Sequence, residues 1–197
     1  MAAGQPARAR GHNRRHGSVR TWTTIGRDTA VIEEPAYTGF GFSDEEWGLL
    51  VGLPQSVLTA ASAAESDGTR ATMAESAAGL ETISAGRESA SRLVAAVAGE
   101  LVARVGDPEA GEELPAIAPD DPRTYAEDVL GRAKAASALL ADRVDEGEAG
   151  AYRHWLVEIT EQVVGAAASG GILGLGASVV SPSERRFRDR LAQVLND

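Results

Sequence analysis

His154, Glu158 and Glu161 carry the donor types that a metal or acid–base site needs. Their spacing of i, i+4 and i+7 puts them on one face of a helix, as ligands in a helical bundle would be. The same helix carries Tyr152, Trp155, Leu156, Ile159, Val163 and Ala166 at helical spacing. At 100° per residue, the His/Glu/Glu stripe falls about 140° from the centre of that apolar set. A di-metal site in a bundle core also needs inward carboxylates from several helices with Glu-x-x-His pairs, and the chain has no Glu-x-x-His. The expectation is a solvated face, with metal held there only at the surface or across an interface between copies.

Ala167-Ala168-Ser169-Gly170-Gly171 is a degenerate echo of the Gly-x-Ser-x-Gly nucleophile elbow. That elbow works on a strand-to-helix turn above a sheet. Here a helix precedes it, and His154 lies on the outer face, so a serine triad is not expected. Gly170-Gly171-Ile172-Leu173-Gly174-Leu175-Gly176 is Gly-rich but matches neither nucleotide-binding pattern in order or context. Gly170, Gly171, Ile172, Leu173, Gly174 and Gly176 stand as candidates for a small-ligand cleft, since glycine lets a ligand approach the backbone. The alternative is a helix cap followed by a connector anchored in the core by Ile172 and Leu173. Arg185, Arg186, Arg188 and Arg190 form the basic cluster of the part expected to be ordered. They suit either a partner's acidic surface or acids of the same bundle.

These residues must be positioned by helices. The first begins at Ser43-Asp44-Glu45-Glu46, a capping box with three acids at the positive end of the helix dipole. It runs over about 44–65, with Trp47, Leu50, Val51, Val57, Leu58 and Ala61 on one face and a kink expected at Pro54. Ser66-Asp67-Gly68-Thr69 breaks the chain. A second helix over about 70–84 turns Met73, Ala77, Leu80 and Ile83 inward. A third, over about 88–104, carries Ala90, Leu93, Val94, Val97 and Leu101, and could form one bent helix with the second. Residues 105–121 read as an acidic loop with three Pro and two Gly. Asp121-Pro122 then starts a fourth helix over about 122–144 as N-cap and first position. Glu146-Gly147-Glu148 reads as a turn, and the fifth helix spans about 149–168. Ser181-Pro182-Ser183-Glu184 opens a sixth, with Phe187, Leu191, Val194 and Leu195 inward. With no period-two pattern long enough for a sheet, the fold class is all-α, a compact bundle of five to six helices.

Composition bounds the rest. The chain has 197 residues and a formal net charge of −10, enough length for one ordinary core. It has no Cys, which excludes disulfides, thiolate nucleophiles and Cys-ligated metal sites. Residues 1–27 hold six Arg and no acid, leaving −16 for residues 28–197. Residues 1–39 are therefore expected to be a disordered Arg-rich arm, and 40–197 a single domain. The arm suits nucleic acid or anionic lipid electrostatically, and its acid-poor composition also fits a transit peptide. It lacks the apolar run of a secretory signal. The acidic bundle repels phosphate backbones, so nucleic acid is expected only at the arm.

Val163 to Ser183 carries no charge and contains Gly170-x-x-x-Gly174, which raises a membrane span. Its Gly, Ala and Ser content and the amphipathic pattern of the fifth helix favour a bundle in water instead.

Phe42-Ser43-Asp44-Glu45-Glu46-Trp47, Tyr152-Arg153-His154-Trp155, Gly170-Gly171-Ile172-Leu173-Gly174 and Val180-Ser181-Pro182-Ser183-Glu184 together resemble a family of bacterial all-helical proteins. Its members open with a capped, Trp-bearing helix. They close with a Tyr/Trp helix, a Gly-Gly-aliphatic-Leu-Gly loop and a Val-Ser-x-x-Glu helix. The resemblance covers about 43–195, a single-domain length, and implies a helical fold and a bacterial origin but no reaction. Relatives carry Glu just before the Gly pair. Ser169 stands there in this chain, which puts a catalytic role for that position in doubt. The last helix also resembles those of tellurite-resistance B-like domains. The functional expectation is a non-catalytic, cytoplasmic protein that binds a protein partner or self-associates, with no cofactor. The alternative is a small-ligand or metal-binding domain of stress-response type using the Gly-rich loop.

Overall fold

Ser43 starts the first helix as the sequence requires. Its hydroxyl accepts the Glu46 N–H at 3.2 Å, and the Glu46 carboxylate accepts the Ser43 N–H at 2.8 Å. The Ser43 N–H, with the Arg143 guanidinium adding to it, holds the Glu46 carboxyl below its usual range. The computed structural model describes residues 39–64, 69–106, 119–169 and 182–197, all within the compact unit Glu34–Asp197. The arm expected over 1–39 lies outside the described residues except Gly39. So do 107–118 of the acidic loop, the break at 65–68 and residues 170–181 of the Gly-rich connection.

Six α-helices follow in order: α1 (Asp44–Ala63), α2 (Thr69–Ala85), α3 (Arg92–Val105), α4 (Pro122–Arg143), α5 (Glu146–Ser169) and α6 (Pro182–Asn196). Among the described residues there is no strand, and the fold is an all-α bundle. No described helix is long and apolar enough to cross a membrane.

α1 packs against all five other helices. Trp47, Leu50, Leu53, Val57 and Ala61 are fully buried along it, and it continues through the buried Pro54. Proline has no N–H for the carbonyl four residues back. That carbonyl belongs to Leu50, and the Tyr152 hydroxyl of α5 donates to it at 2.7 Å. Burial pushes the Tyr152 phenol well above its ordinary range, so it stays protonated and able to donate. Nearby, Ser56 Oγ donates to the Gly52 carbonyl at 2.8 Å, and Arg132 of α4 donates to Ser56 Oγ at 3.0 Å.

α2 faces the core differently from the expectation. Ile83 is buried and Leu80 packs half-buried against the core as expected, but Met73 is 70% exposed and Ala77 is also exposed, whereas Glu75 and Gly79 are buried. The reason is the close approach of α2 to α5. A Cβ at Gly79 would stand 2.7 Å from Leu58 Cδ1 and 2.9 Å from Val163 Cγ2. The inward face is centred on a missing side chain, and a pattern of large apolar residues cannot show that.

α2 and α3 are separate helices, divided by a 3-10 turn at Gly86–Glu88 and an extended Ser89. Gly86 lies beneath Trp155, whose ring a Cβ there would meet at 2.8 Å. Trp155 Nε1 donates to the Thr82 carbonyl at 3.2 Å. Ala90 is exposed and precedes α3, rather than lining the core from within it. Ser91 caps α3, and Glu148 of α5 caps it from across the bundle. The Glu148 carboxylate accepts from Ser91 Oγ at 2.5 Å, Leu93 N–H at 2.9 Å and Arg92 N–H at 3.1 Å. Burial opposes its ionisation, but those hydrogen bonds outweigh it and keep its carboxyl below the usual range. Glu146-Gly147-Glu148 is accordingly no turn but the first turn of α5. Asp145 caps it, accepting the Glu148 N–H on Oδ1 and the Ala149 N–H on its carbonyl.

Asp121 and Pro122 start α4 as the sequence requires, with Asp121 Oδ1 accepting the Arg123 and Thr124 N–H groups. The Thr124 hydroxyl and N–H hold the Asp121 carboxyl below its usual range. Gly79→Ala is expected to cost about 1–3 kcal/mol, because the new methyl must displace two core side chains. Gly99→Ala, in open space within α3, should instead be neutral or stabilise by up to about 1 kcal/mol. Denaturant unfolding of both variants checks the contrast.

Candidate site at the α4–α6 groove

α6 owes its position to one apolar seam. Phe187, Leu191 and Leu195 are buried, as is Glu184 one turn before. Ser137 of α4 donates to the Leu195 carbonyl at 2.8 Å and accepts from Arg153 Nε at 3.0 Å, which secures the last turn of α6. With that seam inward, the four arginines diverge. Arg186 and Arg190, at i and i+4, flank the side facing α4. Arg188 pairs with Asp189 at 2.6 Å, and Arg185 is exposed. The cluster read from the sequence is therefore not one surface.

Arg186 and Arg190 border a groove of about 550 Å3 between the end of α1, the first turns of α4 and the face of α6. Its apolar wall includes Ala126, Leu130 and Phe187, and Arg123 completes the basic rim. Glu127 is the acid among the lining residues. It is engaged by Arg190 through a two-pronged ion pair, with Nη1 on Oε1 and Nη2 on Oε2 at 2.8 Å. That fork lowers the Glu127 carboxyl and raises the Arg190 guanidinium from their ordinary values. Arg123 acts on Asp121 and Glu127 through its charge but forms no ion pair with either. Arg185 and Arg186 likewise carry no ion pair among the described residues.

Sequence reasoning missed Arg123 and Glu127. Their only signal is an i, i+4 pair on α4 matching the i, i+4 arginines of α6. That two such pairs face each other is a fact of helix packing.

His154, Glu158 and Glu161 are all exposed on α5. His154 and Glu158 border a second groove, of about 530 Å3, with Trp155, Gln162 and the α2 residues Glu81 and Thr82, whereas Glu161 does not line it. Among the described residues no group of three His, Asp or Glu side chains is placed to hold a metal ion. Gly170, Gly171, Ile172, Leu173, Gly174 and Gly176 lie outside the described residues.

Comparison with protein-family models, with curated proteins and with solved structures finds no match to the chain. The functional reading therefore rests on the geometry of the chain itself.

Replacing His154 or Glu158 by Ala should change unfolding free energy by no more than about 0.5 kcal/mol, the ordinary range for exposed positions. Urea denaturation of each variant, with and without added zinc, checks this. A zinc-induced stabilisation lost in both variants would restore the metal reading.

Proposed function

We propose that the protein is a non-catalytic interaction module whose α6 engages an acidic surface, on a partner protein or on a second copy of the chain. The observation that carries this reading is the pair Arg185 and Arg186. Both are exposed on a chain of net charge −10, and neither has an ion pair among the described residues. Guanidinium groups present a rigid fork of donors that suits carboxylates on a facing surface. Two further observations support it. α1, the most apolar candidate for a contact face, is packed against every other helix and so is already used. Met73 is the one large apolar side chain that stands exposed among the described residues, which leaves charge as the means of recognition. The reading carries a cytoplasmic setting, which cell fractionation tests directly.

Such contacts weaken as salt screens them. Light scattering at rising protein concentration should give an integer multiple of the chain mass in low salt. That species should dissociate in high salt and in the Arg185→Glu/Arg186→Glu variant. If the chain is a monomer throughout, self-association fails. If affinity purification then recovers the same proteins with the variant as with the wild type, the partner reading fails as well.

A further inference from the structure

The α4–α6 groove has a composition that a bare interaction surface does not require. Three arginines, from two helices, meet at one concavity in a chain that is acidic overall. Glu127 gives both its oxygens to Arg190 and meets Arg123 only through its charge. The Asp121 carboxylate near Arg123 is likewise committed, accepting two N–H groups and the Thr124 hydroxyl at 2.7 Å. Arg123 and Arg186 therefore line the groove without an ion pair among the described residues. The rest of the lining includes the apolar residues Ala64, Pro122, Ala126, Leu130 and Phe187. The volume, about 550 Å3, lies within the range of small-molecule sites, which combine apolar walls with a few charged groups that orient the ligand.

We propose that this groove is a binding site for a small amphipathic anion: a carboxylate or phosphate monoester on an aliphatic or aryl body. The anionic head takes charge-assisted hydrogen bonds from Arg123 and Arg186. The body lies along the apolar part of the lining, which includes the exposed Pro122 and half-buried Ala126, removing apolar surface from water. Arg190, already held by Glu127, serves to position the rim. The proposal shares Arg186 with the interaction reading but adds Arg123 and leaves out Arg185, so Arg123→Ala and Arg185→Ala tell the two apart.

The test is calorimetric titration of the full chain with octanoate, phenyl phosphate and inorganic phosphate. At least one of the two organic anions should bind, and inorganic phosphate should bind at least tenfold more weakly than it. Binding of octanoate alone assigns the head as carboxylate, and binding of phenyl phosphate alone assigns it as phosphate. Arg186→Ala and, independently, Arg123→Ala should each reduce affinity about tenfold or more, the scale of one lost charge-assisted hydrogen bond. Arg185→Ala should leave it unchanged. Unaltered thermal midpoints would show that the variants keep the fold. The proposal is overturned if neither organic anion binds, if inorganic phosphate binds as tightly as they do, or if both groove variants retain wild-type affinity. Equal binding of a short oligoglutamate peptide that Arg123→Ala weakens and Arg185→Ala does not would also overturn it, in favour of a docking surface for protein.

Discussion

The bundle depends on a carbonyl that its own helix does not satisfy. Pro54 lies in the buried middle of α1 and offers no N–H to the carbonyl of Leu50. A buried acceptor left without a donor costs about 1–3 kcal/mol. Tyr152 supplies the missing donor from α5, at 2.7 Å. The same stretch of α1 is tied to α4 through Arg132 and Ser56. Three helices are thus joined at one interrupted turn, and α1 becomes the element against which all the others pack. A polar requirement of the backbone, beyond simple apolar burial, selects which face of α5 turns inward.

This arrangement has a functional consequence. A central helix packed against every other helix leaves little surface for a contact, so the proposed contacts lie on the periphery. There α6 is held by an apolar seam and by the bond between Ser137 and the Leu195 carbonyl. Fixing that seam inward turns Arg185 outward and sends Arg186 and Arg190 to the α4 side. The arginines form two features in consequence, an exposed cationic face and a basic rim above an apolar groove. In the proposed readings the first meets a macromolecular acid and the second a small one. The tertiary cap from Glu148 to α3 belongs to the same logic, because one carboxylate satisfies two helix N–H groups and a hydroxyl and so fixes α3 against α5.

Much of this was legible in the sequence where local chemistry decides the structure. Ser43 with Glu46 and Asp121 with Pro122 mark helix starts through bonds made within one turn. The stripe from Tyr152 to Val163 marks a buried face because large apolar residues repeat at helical spacing. The readings that failed were decided by another helix or by a cap that a neighbouring glycine disguised. Met73 and Ala77 fit a helical period, yet Gly79 and its neighbours Leu58 and Val163 set the face that turns inward. Gly147 looks like a breaker, but Asp145 caps the helix ahead of it. In the candidate groove, Arg186 and Arg190 were visible as charges. Arg123 and Glu127 became part of the site only through the packing of α4 on α6.

The most direct measurement is a double-mutant cycle between Pro54→Ala and Tyr152→Phe, read as unfolding free energy in denaturant. In the wild-type background Tyr152→Phe strands the Leu50 carbonyl and should cost about 1–3 kcal/mol. With Ala at position 54, the restored N–H satisfies that carbonyl and the same change should cost little. The coupling between the two sites should then reach about 1 kcal/mol, within the range for residues that share a partner. Effects that simply add, to within about 0.5 kcal/mol, would contradict the account, because α5 would then be held to α1 by burial alone.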